Sequence, residues 1–300
     1  MSTAAARHRF FSLRRVAALA GATMTELIRL KVFYFILIFS VLLIASPLLF
    51  SEIIFHDQFQ MLRDVGLGAM SIFTSLLAIL ATAGLLPKDT EDRTLYTILA
   101  KPVSRFEYLC GKLCGVVLLL LSAVVLMGAV FAGVLVLRER IVEHATLRAA
   151  ASTHATPESV LAQVRDLRAA AFTPGLFSAA WVILAKACLL AAMTLLVSTF
   201  ATSTIFTIIV AVVVYFIGHF EATARDYWLS GHPDASLLVR FFLGAVVLVF
   251  PDLQLFNVVD ETVAGAALPA GILWQTLGFG ALYSAIYLLA AQWIFSVKEL

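Results

Sequence analysis

Residues 87–112, PKDTEDRTLYTILAKPVSRFEYLCGK, carry patterned charge between two long apolar runs. Asp89 is placed to cap a helix, with Glu91 and Asp92 favourable in the first turn, where backbone N–H groups lack partners and the helix dipole favours negative charge. Leu95, Ile98 and Leu99 make one apolar edge at i, i+3 and i+4. Pro102 ends that helix, because the residue before a proline avoids the α region. Ser104 and Glu107 then form a capping box that starts the next helix. The chemistry offered is recognition. The apolar edge supplies contact area, and Glu91, Asp92, Arg93, Lys101 and Arg105 supply orientation and partner choice. On pattern alone the segment also fits a solvated amphipathic connector.

Lys186 is the other residue whose type stands out, inside the apolar run WVILAKACLLAAM. A lysine at membrane depth is costly and marks function by default. It either lines a translocation path, where it could meet an anionic substrate, or snorkels to the outer interface. Cys110 and Cys114, at i and i+4, read as small membrane-edge thiols, since no His or acid completes a metal-ligand set. The pairs His56-Asp57, His219-x-Glu221 and His232-x-Asp234 do not have the spacing of a recognised metal site, and they and His144 and His154 read as solvated loop residues. No Ser/His/Asp or Cys/His set can be read, and the spans carry no paired carboxylates or HExxH. No G-x-x-x-x-G-K-[ST] segment is present to cradle nucleotide phosphates. These observations assign no catalytic residue, no metal and no cofactor to this chain.

The elements that must position these residues follow from composition. Of the 300 residues, 62% are hydrophobic and 13% charged, where a soluble domain runs near 45–50% apolar and about 25% charged. Apolar runs of about 20 residues match the ~30 Å hydrocarbon layer. The fold class is an all-α membrane protein with six transmembrane helices. The spans fall at 32–50, 66–86, 115–137, two within 177–220 broken at 198–203, and 271–296. The apolar piece 237–250 holds Arg240 and reads as interfacial or re-entrant, with a seventh span as the alternative. A net charge of +2 is too small to imply a nucleic-acid partner, and no basic, aromatic-interleaved patch appears, so none is expected.

Residues 10–31 predict an amphipathic helix on the membrane surface, with Val16, Leu19, Thr23, Leu27 and Leu30 on one face and Arg14, Arg15 and Arg29 available for headgroups. Gly111-x-x-x-Gly115 predicts close helix packing. Residues 138–176 predict a helical loop, with Thr156-Pro157-Glu158 as a helix start. Lys and Arg cluster near span ends in 1–31 and 87–112, with Lys298 at the C-terminus, so both termini and 87–112 are expected in the cytoplasm and 138–176 outside. The simplest division is one membrane domain over 1–300.

The segment TEDRTLYTILAKPVSRFEYLCGKLCG resembles the cytoplasmic loop of ABC-2-type transporter permeases, in which an acidic pair precedes "L..LLAKPVSR...LLGK". The tail FPDLQLFNVVDETVAGAALPAG…ALYSAIYLLAAQWIFSVKEL resembles that family's C-terminus, and TELIRLKVF fits its leading helix. The nearest branch looks like the single-domain bacterial permeases allied to gliding-motility and nitrous-oxide-reductase maturation transporters. The resemblance implies a permease, mostly of exporters, in a bacterial cytoplasmic (inner) membrane. It implies a homodimer of this chain in membrane lipid, driven by two separate ATPase subunits that bind ATP and magnesium. The loop helix would then couple the ATPase to the membrane path. The alternatives are a non-transporting scaffold or assembly factor of the same fold, and an intramembrane enzyme.

Overall fold

The computed structural model describes residues 12–50, 58–92, 104–153, 157–173, 175–229, 241, 244, 250–257 and 269–297. Within them the chain is helical and carries no strand. The helices are α1 Leu13–Ile28, α2 Lys31–Ala45, α3 Pro47–Phe50, α4 Gln58–Ala83, α5 Leu85–Glu91, α6 Arg105–Thr153, α7 Pro157–Ala171, α8 Gly175–Phe200, α9 Thr204–Leu229 and α10 Ala270–Val297. A 3₁₀ turn spans Leu253–Phe256. Among the described residues five helical stretches are long and apolar enough to cross a membrane, and α1 with α2, bent by 68°, makes a sixth if the pair is counted as one span. The chain is an all-α membrane protein. The piece 237–250, read as interfacial, lies almost wholly outside the described residues.

The core centres on α8. Its apolar residues leave no polar face, and such a helix belongs in an interior. It buries Val182, Ile183, Leu189, Leu190 and Leu195 against its neighbours and packs on α4, α6, α9 and α10. Ala201, Thr202 and Ser203 break α8 from α9, and Thr207 N donates to Ser203 O at 3.1 Å to start the new helix.

Helix α1 does not lie on lipid alone. Its buried residues Val16, Ala20, Thr23 and Leu27 form a face against α6. Gly111 and Gly115 let the two backbones approach: a Cβ at Gly111 would stand 2.6 Å from Leu19 Cβ, and one at Gly115 would stand 2.6 Å from Thr23 Cβ. The predicted glycine pair is thus the seat of α1.

α6 is far longer than the span expected at 115–137. Its 49 residues extend about 73 Å at ~1.5 Å per residue, more than twice the hydrocarbon thickness. The excess continues into the helical loop expected at 138–176. There α7 folds back along α6, and Arg168 bridges Glu139 at 3.3 Å and Glu143 at 3.2 Å.

The expected helix start at Asp89 is not what the chain forms. Helix α5 begins after Gly84 and carries through Pro87 to Glu91, so Asp89 sits in its last turn. A proline in a first turn costs no hydrogen bond, so the helix runs past it. The Asp89 carboxylate meanwhile meets Tyr108 and Lys112 on α6.

Candidate functional site

The two described flanks of residues 93–103 are joined by buried charge. The capping box forms as expected. Ser104 N donates to Glu107 Oε2 at 2.9 Å, and Glu107 N donates to Ser104 Oγ at 3.2 Å. Glu107 is fully buried, and its other oxygen accepts from Ser12 N at 2.7 Å and pairs with Arg15 at 3.3 Å. One carboxylate therefore satisfies donors at the starts of both α1 and α6. Arg15, expected at lipid headgroups, is turned inward to that carboxylate.

A second chain of charges runs across the same end of the bundle. Lys88 Nζ donates to Glu26 Oε1 at 3.0 Å, and Lys112 Nζ lies 3.8 Å from Glu26 Oε2. Lys112 Nζ also lies 2.7 Å from Asp89 Oδ2, and the Tyr108 hydroxyl donates to the same oxygen. Lys112 and Asp89 side chains are only 6% and 10% exposed. Losing one partner of such a buried pair costs about 3–5 kcal/mol, whereas an exposed pair like Lys88–Glu26 is worth about 0–1 kcal/mol.

Arg105 completes this collar. It donates to the last carbonyls of α10, Phe295 O at 2.6 Å and Ser296 O at 3.0 Å. A cation there also complements the negative end of the helix dipole. Its guanidinium lies 5.7 Å over the Phe295 ring, and Tyr108 stacks on that ring at 6.1 Å. The collar thus links α1, α5, α6 and α10.

Of the expected recognition residues, Glu91 ends α5 and Asp92 follows it, both exposed. Arg105 faces α10. Arg93, Leu95, Ile98, Leu99, Lys101 and Pro102 lie outside the described residues. Glu26, Tyr108 and Lys112 were missed as site residues. Their signal was an ionisable or aromatic group set at the membrane edge of an apolar run.

Lys186 is 4% exposed and stays inside the bundle. Its ammonium lies 3.2 Å from His219 Nε2 and 5.5 Å from the Tyr215 ring centre, both on α9. His219 Nδ1 lies 3.0 Å from Tyr215 O. A carbonyl only accepts, so Nδ1 carries the hydrogen and Nε2 is left as the acceptor for the ammonium. His219, expected as a solvated loop residue, is therefore a partner inside the bundle. Six residues further along α9, Arg225 binds Asp252 at 2.9 Å, and Asp252 caps the 3₁₀ turn through Gln254 N at 2.8 Å. Gln254 Nε2 donates to His219 O at 2.7 Å. Gly218 admits Leu253, whose Cγ would lie 2.7 Å from a Cβ there. These contacts bind α8, α9 and the 3₁₀ turn together. Among the described residues no three His, Cys, Asp or Glu side chains converge on a metal-sized site, and all three cysteines are free thiols.

A multi-pass helical bundle with a charged collar at one end defines the class: a helical membrane protein whose buried charges gather on the two flanks of residues 93–103. The chain belongs to the ABC-2 family of transporter proteins, whose family model matches residues 12–300. No curated protein matches the chain. As an ABC-2 member it is the permease component of an ABC transporter, and membership implies a partnering ABC ATPase.

Proposed function

We propose that this chain is the membrane subunit of an ABC exporter in a bacterial cytoplasmic membrane. It works as a homodimer, with its N-terminus and residues 87–112 in the cytoplasm. A separate ATPase docks on residues 90–102, with Leu95, Ile98 and Leu99 as the apolar contact and Glu91, Asp92 and Arg93 setting partner choice. Lys101 and Arg105 add to the orientation and specificity of docking, and Pro102 separates the docked segment from the helix that follows. Lys186 belongs to the translocation path. The observation that supports this reading best is the collar. Asp89 on one flank of the loop is bound to Tyr108 and Lys112 on the other, so a force on the loop reaches α1, α6 and α10 as one unit rather than being lost in a slack connector.

Co-purification of the ATPase with permease variants, alongside substrate-stimulated hydrolysis in the reconstituted complex, tests the reading. Each buried Leu-type side chain is worth about 1.5–3 kcal/mol, so Leu99→Asp is expected to release the ATPase. Arg93→Ala is expected to leave it bound but less well coupled. Lys186→Met is expected to lower flux with the ATPase still bound. A Leu99→Asp variant that copurifies and hydrolyses normally would make the loop a solvated connector, and unchanged flux in Lys186→Met would remove that lysine from the path.

A further inference from the structure

Two buried acids toward the far end of α9 have no part in the coupling just described. Glu221 is 2% exposed and Asp252 4%. Both close on one cation. One guanidinium nitrogen of Arg225 lies 3.5 Å from Glu221 Oε2, and another lies 2.9 Å from Asp252 Oδ2. Glu221 and Arg225 meet because they stand at i and i+4 on α9. Asp252 joins them because Gly218 leaves room for Leu253 and the Pro251 carbonyl beside it. The two carboxyl groups are also in hydrogen-bond contact with each other.

The hydrogen bonds count the protons. Asp252 Oδ1 accepts from Gln254 N at 2.8 Å and Oδ2 accepts from Arg225 at 2.9 Å, so both its oxygens are engaged as those of a carboxylate. Glu221 Oε2 has no hydrogen-bond partner among the described residues. An ionised carboxyl only accepts, so two acids bond to each other only when one of them carries a proton. Glu221 is that member. The neighbouring elements bring no second cation to the pair. Asp226, five residues on along α9, adds negative charge. Lys186 is the one charged residue of α8, and its ammonium is engaged by the neutral His219 ring and the face of Tyr215. Helix α10 holds no Asp, Glu, Lys or Arg. Helix α4 brings Arg63 and Asp64 toward the same end of α9, since Gly84 meets Thr204 at the other.

We propose that Glu221 and Asp252 share one proton, and that this proton latches the Leu253–Phe256 turn onto α9. The turn is capped by Asp252, seated at Gly218 through Leu253, and tied to His219 O through Gln254. Loss of the proton would leave two buried carboxylates against one guanidinium, and like charges sharing a buried site repel. The latch therefore holds while Glu221 keeps its proton and is lost as pH rises through the point where Glu221 gives it up. The Arg225 side chain is 36% exposed, so water and its protons reach the cluster. This inference stands independently of the coupling reading, because no residue of the collar and no ATPase takes part.

Two measurements on the reconstituted full chain test the latch. Infrared spectra read the proton: at neutral pH the parent is expected to show a protonated-carboxyl band that Glu221→Gln lacks. Thiol labelling reads the turn. With Cys110, Cys114 and Cys188 replaced, Leu253→Cys and Leu255→Cys are labelled separately. Leu253 is fully buried and Leu255 is 46% exposed, so the ratio of the two rates follows release of the turn and cancels the ionisation common to both thiols. The ratio is expected to rise roughly tenfold, the scale of one hydrogen bond to a charged group, between about pH 5 and about pH 10, which brackets the titration of buried glutamates. In Glu221→Gln, whose amide still donates to Asp252, the ratio is expected to stay low throughout, and in Glu221→Ala to stay high. A ratio in the parent that does not change with pH overturns the latch. A rise that persists in Glu221→Gln assigns the titration to another group, His219 or Asp226, and overturns it as well. Should Leu253→Cys fail to reconstitute, the infrared band decides: its absence from the parent, or its persistence in Glu221→Gln, overturns the shared proton.

Discussion

At the residue scale, the collar ranks its own members by burial. Lys112 has two acidic neighbours, Asp89 and Glu26, and is nearly inaccessible. Lys88 reaches Glu26 from the surface. Lys112→Met is expected to cost about 3–5 kcal/mol, since it strands the buried Asp89 carboxylate, while Lys88→Met costs at most about 1 kcal/mol. Thermal unfolding of the detergent-solubilised variants checks the order, and equal losses would show that burial does not grade these pairs. Adding Asp89→Asn to Lys112→Met is expected to recover part of the loss, because the two changes act on one interaction. Ser104 and Glu107 were legible in the sequence because a capping box is completed within four residues. Lys112 was read only as a topology charge, since its acidic neighbours lie on α5 and α1, far along the chain.

At the element scale, period and punctuation located the helices, and tertiary packing moved their ends. Asp89 looked like the cap of a new helix, yet it sits inside α5, and its carboxylate meets Tyr108 and Lys112 on α6. The amphipathic face of α1 was legible from its spacing. That the face would meet α6, rather than headgroups, depended on two glycines about 90 residues further along. Gly115→Leu is expected to displace α1, with an overpacking cost of about 1–3 kcal/mol. Gly133→Leu on the same helix, with nothing within 4 Å of its Cβ position, is expected to be near neutral. Protease protection of the N-terminal helix reads both variants, and equal protection would remove the glycine pair as the seat of α1.

At the scale of the whole molecule, the collar and the α6–α7 hairpin stand at opposite ends of the long helices. The clustering of Lys and Arg near the collar end assigns it to the cytoplasm in the proposed topology. In a background with Cys110, Cys114 and Cys188 replaced, Ser152→Cys is expected to react with an impermeant thiol reagent added from outside the cell. Labelling only from the cytoplasmic side would invert the assignment. By itself the sequence determined that this is a helical membrane protein, where most of its spans lie, and which family its loop and tail resemble. All of these rest on composition, on the length of apolar runs and on local motifs, which need no knowledge of what packs against what. Tertiary structure alone decided that Lys186 points at His219 and not at an interface, and that Arg105 binds the end of α10. Each of these pairings joins residues from different helices. Side-chain direction and helix register, which decide such meetings, are set only when the bundle closes.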